Sequence, residues 1–281
     1  MQIELSETGD LAHHAAILAP LAAHNAAMTG RDDPGCGLSV LLRDASGAVE
    51  GGMLGSLWQN WFKLDLAYLP PHRRGARLGA RMLSSLEAAA VAKGAVGCWT
   101  QSFSFQAPGF YERLGYRRVG VLADRPPGFS DVFLAKTEGF AQDGAELVVT
   151  DAASAADLHA VRTALRRFSD DFAGPGSWSK LALLVRGEAG AIEGGLWASL
   201  GRQWMFVDLL GLPAPLRRER LGTRLMDMAE DAARARGCIG VYLDTFSFQA
   251  RPFYEKRGYA KFAEIDGYPG GHQRFFLSKR L

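Results

Sequence analysis

The sequence predicts a mixed α/β fold that occurs twice in tandem, and two observations lead to this prediction. The chain has 281 residues, whereas one domain typically has ~100–200 residues, so the length suggests two domains. Within the second half, segments with helical spacing of apolar residues alternate with short apolar runs that are typical of strands. This alternation predicts a mixed sheet with helices on both faces.

A long internal repeat indicates that the two predicted domains are copies of one another. Residues 103–116, FSFQAPGFYERLGY, recur as residues 246–259, FSFQARPFYEKRGY, with ten of fourteen positions identical and an offset of 143 residues. Because the repeat is far longer than the ~20–50 residues of a solenoid unit, it indicates a duplicated domain. We expect an N-terminal domain of residues 1–140 and a C-terminal domain of residues 145–281, joined by a polar, glycine-containing stretch.

The first elements of the second copy follow from the spacing of its apolar residues. Residues 154–169 carry apolar side chains three or four positions apart, which predicts a helix with Ser154 as its N-cap. Residues 181–186 and 195–200 predict two strands around a glycine-containing turn. Residues 203–211 form a nearly continuous apolar run, which is typical of a central strand buried on both faces.

A loop rich in proline and arginine leads from this strand into a second helix, predicted over residues 219–236. The apolar side chains of that helix share one face, and Gly237 ends it. A short helix over residues 251–257 has a proline in its first turn. The remaining predicted strands span residues 239–243, 259–265 and 273–278.

Composition and charge narrow the class of protein. With 48% hydrophobic and 22% charged residues and a net charge of +2, the chain has no general attraction to nucleic acid or to membranes. The sequence contains no run of ~18 apolar residues, and its start has no signal-peptide pattern. Cys36, Cys98 and Cys238 are scattered and form no CxxC pair, so we expect no disulfide framework, no metal site and a cytoplasmic location.

The motif most informative about chemistry is a strand, then LPAPLRRERLG at residues 212–222, then a helix. The first-turn amides of a helix have no intrahelical acceptor, and together with the helix dipole they favour an anion. The arginines add positive charge. A plain surface loop is the alternative, but the recurrence of the motif at the same register in both copies favours an anion-binding site.

These residues resemble the GNAT acetyltransferase superfamily. The pyrophosphate loop of that family is [R/Q]-x-x-G-x-[G/A], which residues 217–222 (RRERLG) and residues 74–79 (RGARLG) match except at the first glycine. The later LDTFSFQARPFYEKRGY resembles the strand and tyrosine-bearing helix that complete the acyl-CoA site. The resemblance implies two tandem GNAT-like domains, each a mixed, mostly antiparallel twisted sheet with helices on both faces.

The resemblance also implies that the cofactor is acetyl-CoA, or another acyl-CoA, bound at the same positions in both copies. In the second copy these positions are Leu210, Leu212, Arg217, Arg218, Arg220, Leu221, Gly222 and Thr223. In the first copy they are Leu69, Arg74, Gly75, Arg77, Leu78, Gly79 and Ala80.

One departure from the family pattern affects both copies. The first loop glycine of the family is Arg220 in the second copy and Arg77 in the first. If the position needs a positive φ, an arginine there is strained. If the backbone is already in the right-handed helical region, the arginine is tolerated and can itself contact phosphate.

The activity that the resemblance implies is direct transfer of an acetyl group from acetyl-CoA to a primary amine of a small molecule. Tyr254 and Tyr111 match the family tyrosine that protonates the departing thiolate; a core tyrosine bonded to the backbone is the alternative. Asp208 and Asp65 lie in apolar strands, where burial raises a carboxyl pKa, so each is a candidate base or a paired structural residue.

The acceptor amine has two candidate contacts in the second copy. Asp244 ends the strand after the anion-binding helix, and His272 lies in the loop sequence YPGGHQRFF. The first copy has Gln101 and Phe129 at these positions. We therefore predict that the second half is the better catalyst and that the first half is degenerate.

Other functions remain open at this stage. A peptide N-acetyltransferase uses the same chemistry, and the arginines in place of glycine allow a non-catalytic acyl-CoA-sensing module. Nucleic-acid binding is disfavoured by the small net charge and by the lack of a basic stripe interleaved with aromatic residues. The two fused copies can pair as an intramolecular pseudo-dimer.

Overall fold

A computed structural model describes residues 2–140, 147–188, 190–218 and 220–281, and of Arg218 it describes only the backbone. Most of the polar stretch predicted to join the two domains lies outside the described residues, as does the side chain of Arg218.

The first half contains the elements β1 to β7 and α1 to α3. They are β1 (Gln2–Ser6), α1 (Leu11–Thr29), β2 (Cys36–Arg43), β3 (Val49–Trp58), β4 (Trp61–Tyr68), α2 (Leu78–Ala92), β5 (Gly97–Phe103), α3 (Pro108–Arg113), β6 (Arg117–Ala123) and β7 (Ser130–Lys136).

The second half repeats this order, starting from a helix. Its elements are α4 (Ala155–Ala173), β8 (Trp178–Arg186), β9 (Ile192–Gly201), β10 (Trp204–Gly211), α5 (Leu221–Ala235), β11 (Gly240–Phe246), α6 (Arg251–Lys256), β12 (Ala260–Asp266) and β13 (Gln273–Arg280). Ser154 caps α4 in a capping box with Asp157, so the predicted cap is confirmed.

The strands form a single thirteen-stranded sheet with the order β1-β8-β9-β10-β11-β13-β12-β6-β7-β5-β4-β3-β2. Neighbouring strands are antiparallel except for two parallel pairs, β4 with β5 and β10 with β11. The predicted mixed, mostly antiparallel architecture is thus confirmed.

The two halves meet in the middle of this sheet, where β6 lies beside β12 with Gly120 opposite Ala263. A Cβ atom at Gly120 would lie 2.2 Å from the Cβ of Ala263, so this close approach requires glycine. On either side, Trp61 donates its indole N–H to the Gly267 carbonyl and Trp204 donates to the Asp124 carbonyl, each at 2.8 Å. These paired contacts relate the halves by a pseudo-two-fold axis.

The first helix of each half crosses to the sheet of the other half. α1 packs against β8, β9 and β10, whereas α4 packs against β3 and β4. Ile17 on α1 and Val161 on α4 occupy the same position in their helices, and both are fully buried. β1 also crosses, pairing with β8. The division into residues 1–140 and 145–281 stays a prediction about the repeated sequence, because the packing units cross it.

Each half holds its long helix on the sheet with the same buried ionic cluster. Lys136 lies 2.7 Å from Glu87, to which the Tyr116 hydroxyl donates at 2.8 Å. The equivalent Lys279 lies 2.6 Å from Glu230 in the second half. Because the sequence repeats, the same residue types occur in both clusters. The sequence alone does not show that the lysine pairs with the glutamate.

Two further findings concern membrane-spanning helices and disulfide bonds. The described helices are too short or too polar to cross a lipid bilayer. Cys36, Cys98 and Cys238 are free thiols.

Candidate active site

A cavity opens in each half where two parallel strands separate. The parallel pairing of β10 with β11 ends at Val207 opposite Leu243. Asp208 forms a bulge there, and β10 continues along β9. A cavity of about 830 Å³ lies between the separated strands. In the first half the pairing of β4 with β5 ends at Leu64 opposite Thr100, beside a cavity of about 770 Å³.

The turn that enters the long helix lies at each cavity and has a left-handed backbone. Arg220 before α5 has φ 55°, and Arg77 before α2 has φ 58°. The right-handed alternative from the sequence is therefore wrong, and both arginines sit in a conformation that side chains with a Cβ disfavour. The neighbouring Arg217 donates Nε–H to the Leu212 carbonyl at 2.9 Å and so fixes the loop.

The start of α5 fits a diphosphate group. The Arg224 amide donates to the Arg220 carbonyl at 3.0 Å, and the amides of a helix that precede its first intrahelical bond are suited to a ligand. Gly222 lines the cavity, and a Cβ there would enter the space at 3.6 Å from Phe253. The amides and the arginine are donors for an anion, and the small residue leaves space for it.

The structure brings together most of the residues predicted to bind the cofactor. In the second half Leu210, Leu212, Arg217 and Gly222 line the cavity, whereas Arg220, Leu221 and Thr223 are not part of its lining. In the first half Leu69, Arg74, Gly75, Arg77, Leu78, Gly79 and Ala80 all line the cavity.

The two candidate bases differ in their surroundings. Asp208 lines its cavity and accepts a hydrogen bond from Ser199 at 2.6 Å. Burial raises the pKa of Asp208 above its usual value, although Lys180 and the hydrogen bond from Ser199 oppose the shift. Asp65 in the first half has a side chain that is 37% exposed and lies 3.0 Å from Lys63. Asp208 is thus the better placed proton acceptor.

The two candidate acids are more alike. Tyr254 on α6 and Tyr111 on α3 are buried and line their respective cavities. Burial raises the pKa of Tyr111 to about 12 and also raises the pKa of Tyr254 above its usual value. Both phenols therefore stay protonated at neutral pH and can donate a proton.

The predicted acceptor contacts occupy different places. Asp244 lines the second cavity and forms an ion pair with Arg274 at 2.9 Å. His272 packs edge-on against Phe248, with ring centroids 4.8 Å apart, and is not among the residues that line the cavity. Its role as a substrate contact stays a prediction.

Each cavity is completed by the helix that crosses from the other half. Gln249 donates to Asn25 on α1 at 2.8 Å, and the equivalent Gln106 donates to Ser169 on α4 at 3.1 Å. These contacts lie beside the cavities. The following first-half residues line the second cavity: Leu18, Leu21, His24, Asn25, Trp58, Lys63, Trp99 and Gln101.

Sequence reasoning missed these cross-half residues. A repeat shows which residues are equivalent, but not whether a helix packs on its own copy or on the other one. Of the residues from the second half, Leu165 and Phe168 on α4 line the first cavity.

In the first half, Arg125, Asp131 and Phe105 take the positions that Tyr268, Arg274 and Phe248 have in the second half. Arg125 forms an ion pair with the buried Asp131 and donates to the Tyr242 hydroxyl. Burial raises the pKa of Asp131 to about 6, against the opposing effect of Arg125. Phe105 stacks on Phe172 of α4 with ring centroids 5.4 Å apart. The first cavity therefore has the loop and helix start, but the side chains near its acceptor side differ from those of the second half.

A mixed sheet split between parallel strands, with an anion-binding turn at the split, defines a class of acyl-CoA-dependent transferases. Within the described ranges, no group of three or more His, Cys, Asp and Glu side chains is arranged to hold a metal ion.

Comparison with known proteins identifies the family. The family model described as Acetyltransferase (GNAT) family matches residues 164–259. The acetyltransferase Atu2258 of Agrobacterium fabrum is 32% identical over 134 residues, which are 48% of this chain and 98% of that protein. The chain therefore belongs to the GNAT acetyltransferase family, whose members use acetyl-CoA.

Two further similarities cover part of the chain. Blasticidin-S acetyltransferase of Streptomyces morookaense is 38% identical over 91 residues, 32% of this chain and 67% of that protein. The crystal structure of an acetyltransferase from Bacillus cereus is 27% identical with a TM-score of 0.41, and the match covers 47% of this chain and 96% of that one.

Proposed function

We propose that this acetyltransferase moves an acetyl group from acetyl-CoA directly to a primary amine of a small molecule, without a covalent enzyme intermediate, and that the second half carries the reaction. The observation that carries the proposal is that Asp208 and Tyr254 line the same cavity as the anion-binding turn, and burial raises the pKa of Asp208. Similarity to an enzyme named for the small molecule blasticidin S supports an acceptor of that size.

Four residues of the second half fit the role of holding the cofactor. The cleft between β10 and β11 would take the chain of the cofactor between Leu210 and Leu212 on one side and the α6 residues on the other. Arg217 and the amides at the start of α5, next to Gly222, would take the diphosphate. When bound, acetyl-CoA supplies the acetyl group as a thioester, whose C–S bond breaks as the C–N bond to the amine forms.

The proton transfers fall to two side chains. Asp208 accepts the proton that the acceptor nitrogen loses, and its raised pKa makes the carboxylate a stronger base than an exposed aspartate. The Tyr254 hydroxyl gives a proton to the departing sulfur, and solvent then restores the proton to the tyrosine and removes the one on Asp208. Backbone N–H groups of β10 beyond Val207, where β11 no longer pairs, are suited to stabilise the developing oxyanion.

The first half supports a second function, non-catalytic acyl-CoA binding. Its cavity includes all seven predicted cofactor positions, yet its Asp65 is paired with Lys63 and Gln101 stands in place of Asp244. We also propose that the fused halves replace a two-fold dimer, because each contributes the helix that completes the cavity of the other.

The experiment that tests the proposed function combines calorimetry with a product screen. We expect coenzyme A to bind with measurable heat at millimolar concentration, and acetyl-CoA to be consumed with one member of an amine library, with the acetylated amine detected by mass. Binding without turnover on any amine would instead support an acyl-CoA-sensing module. No binding would contradict both.

A further inference from the structure

We propose that the acceptor is an amine carried on a flat, unsaturated ring rather than a polycationic amine, and that residues from both halves recognise this ring. The inference rests on the proposed function and specifies the substrate class of that same site.

The walls of the second cavity carry aromatic rings that are only half-buried. Trp58, Phe206 and Phe248 line the cavity, and each keeps part of its surface exposed. Phe248 stacks on Phe246 with ring centroids 5.4 Å apart, and Trp58 lies 5.7 Å from the same Phe246. Trp58 comes from the first half and Phe248 from the second. Accessible aromatic surface of this kind favours another planar ring, through stacking or edge contacts.

The charges around the cavity argue against a polycation. Asp244 is paired with Arg274 at 2.9 Å, and Lys63 lines the cavity although its partner Asp65, at 3.0 Å, does not. Asp208 is bonded to Ser199, which in turn accepts from Lys180 at 2.6 Å.

Of the two described carboxylates that line the cavity, Asp244 has a positive partner and Asp208 is bonded to a hydroxyl. Lys63 and Arg274 themselves line the cavity. A polyamine would meet these two cations and could pair directly with Asp208 alone of the two carboxylates, so its further charges would be repelled or poorly solvated.

In the first half, a ring of the protein itself stacks on the phenylalanine at the equivalent position. Phe105 is the equivalent of Phe248, and it is stacked by Phe172 of α4 at 5.4 Å. The residue of α1 that is equivalent to Phe172 of α4 is Met28. Met28 has no ring to stack on Phe248. The α1 ring that approaches Phe248 is His24, which is tilted by 55° with ring centroids 6.3 Å apart. The stacking position that Phe172 takes in the first half is therefore not taken by this α1 ring in the second.

The experiment compares three amines with saturating acetyl-CoA: 2-phenylethylamine, 2-cyclohexylethylamine and spermidine. We expect kcat/KM for the phenyl compound to exceed that of its saturated analogue by about tenfold, with spermidine lowest. Phe248→Ala and Trp58→Ala should each lower kcat/KM for 2-phenylethylamine about tenfold through KM, with kcat little changed. Phe105→Ala, the matched change in the first half, should leave it unaltered. If Phe248→Ala does not fold, Phe248→Leu removes the flat ring while keeping an apolar side chain.

Three results would contradict the inference in distinguishable ways. Equal kcat/KM for the phenyl and cyclohexyl amines would refute ring recognition, and spermidine turned over as fast or faster would refute the charge argument. Either result leaves the proposed acetyl transfer standing. Failure to acetylate any of the three amines or any other amine, despite binding of coenzyme A, would refute the proposed function and this inference together.

Discussion

The two cavities of this molecule start from the same repeated motif but differ on the side where an acceptor would enter. Both have a left-handed arginine before a long helix, a separated pair of parallel strands and a buried tyrosine. The first cavity is lined by Gln101 and the exposed Asp65, whereas the second is lined by Asp244, half-buried rings and the half-buried Asp208. The difference shows that duplication can preserve one part of a site while a few side chains change the other.

Two substitutions distinguish the acceptor sides of the two halves. Where the second half has Asp244 paired with Arg274, the first half has Gln101 near Asp131, whose charge is met instead by Arg125. Arg125 takes the position of Tyr268, which is itself buried, so different side chains fill this place in the two halves.

The largest expected effect separates the two candidate bases. Asp208→Asn removes the proton acceptor at the second cavity and should lower kcat by about 10²–10⁴-fold. Asp65→Asn, the matched change, should lower it by less than about twofold, because Asp65 is exposed and paired with Lys63. Steady-state acetyl transfer measures both variants. Equal losses would remove the distinction between the halves.

A smaller effect tests the crossing helices. Ile17 on α1 is fully buried against the sheet of the second half, so Ile17→Ala should lower the free energy of unfolding by about 2–5 kcal/mol. Val161→Ala at the matched position of α4 should cost about 1 kcal/mol less, because valine has one methylene fewer. Urea denaturation measures both changes. An unchanged Ile17→Ala midpoint would mean that α1 does not pack there.

The pH dependence of stability tests the environment of Asp131 in the first half. The pKa of Asp131 is raised from 3.8 to about 6, so between these values the folded protein binds more protons than the unfolded chain. Stability should therefore fall as the pH rises across this window. Asparagine cannot titrate at this position. The melting temperature of the wild type relative to that of Asp131→Asn should therefore fall as the pH rises across this window. A difference independent of pH would show that the pKa of Asp131 is not raised.

The smallest expected effect concerns the left-handed arginines. Arg220→Gly and Arg77→Gly remove side chains that disfavour φ near 55°, and each should stabilise the protein by about 0.5–1 kcal/mol after the entropy of the more flexible unfolded chain is counted. Thermal melting gives the two values. Destabilisation by both would mean that the guanidinium groups make contacts that outweigh the backbone strain.

The sequence predicted the fold class and the family because the relevant signals are local. The repeat, the loop RRERLG and the spacing of apolar residues each depend on neighbours along the chain, and the structure confirms the mixed sheet built from them. The bulge at Asp208 lies within the strand that the apolar run of residues 203–211 predicted.

Contacts between the halves could not be predicted in the same way. Nothing local in α1 indicates that it packs on β8 to β10 rather than on β3 and β4, because both halves of the sheet carry the same apolar pattern. The contributions of Trp58, Lys63 and Asn25 to the second cavity depend on that choice. The conformation of Arg220 also depends on the closed turn rather than on the residue type, since an arginine alone prefers the right-handed region.

The most direct test of the central claim, that the second half carries the chemistry, compares Tyr254→Phe with Tyr111→Phe. Both changes remove one buried hydroxyl from equivalent positions, so folding effects are matched. We predict that Tyr254→Phe lowers kcat for acetyl transfer about 10²-fold or more, and that Tyr111→Phe changes it by less than about twofold. Equal losses, or a larger loss for Tyr111→Phe, would contradict this account.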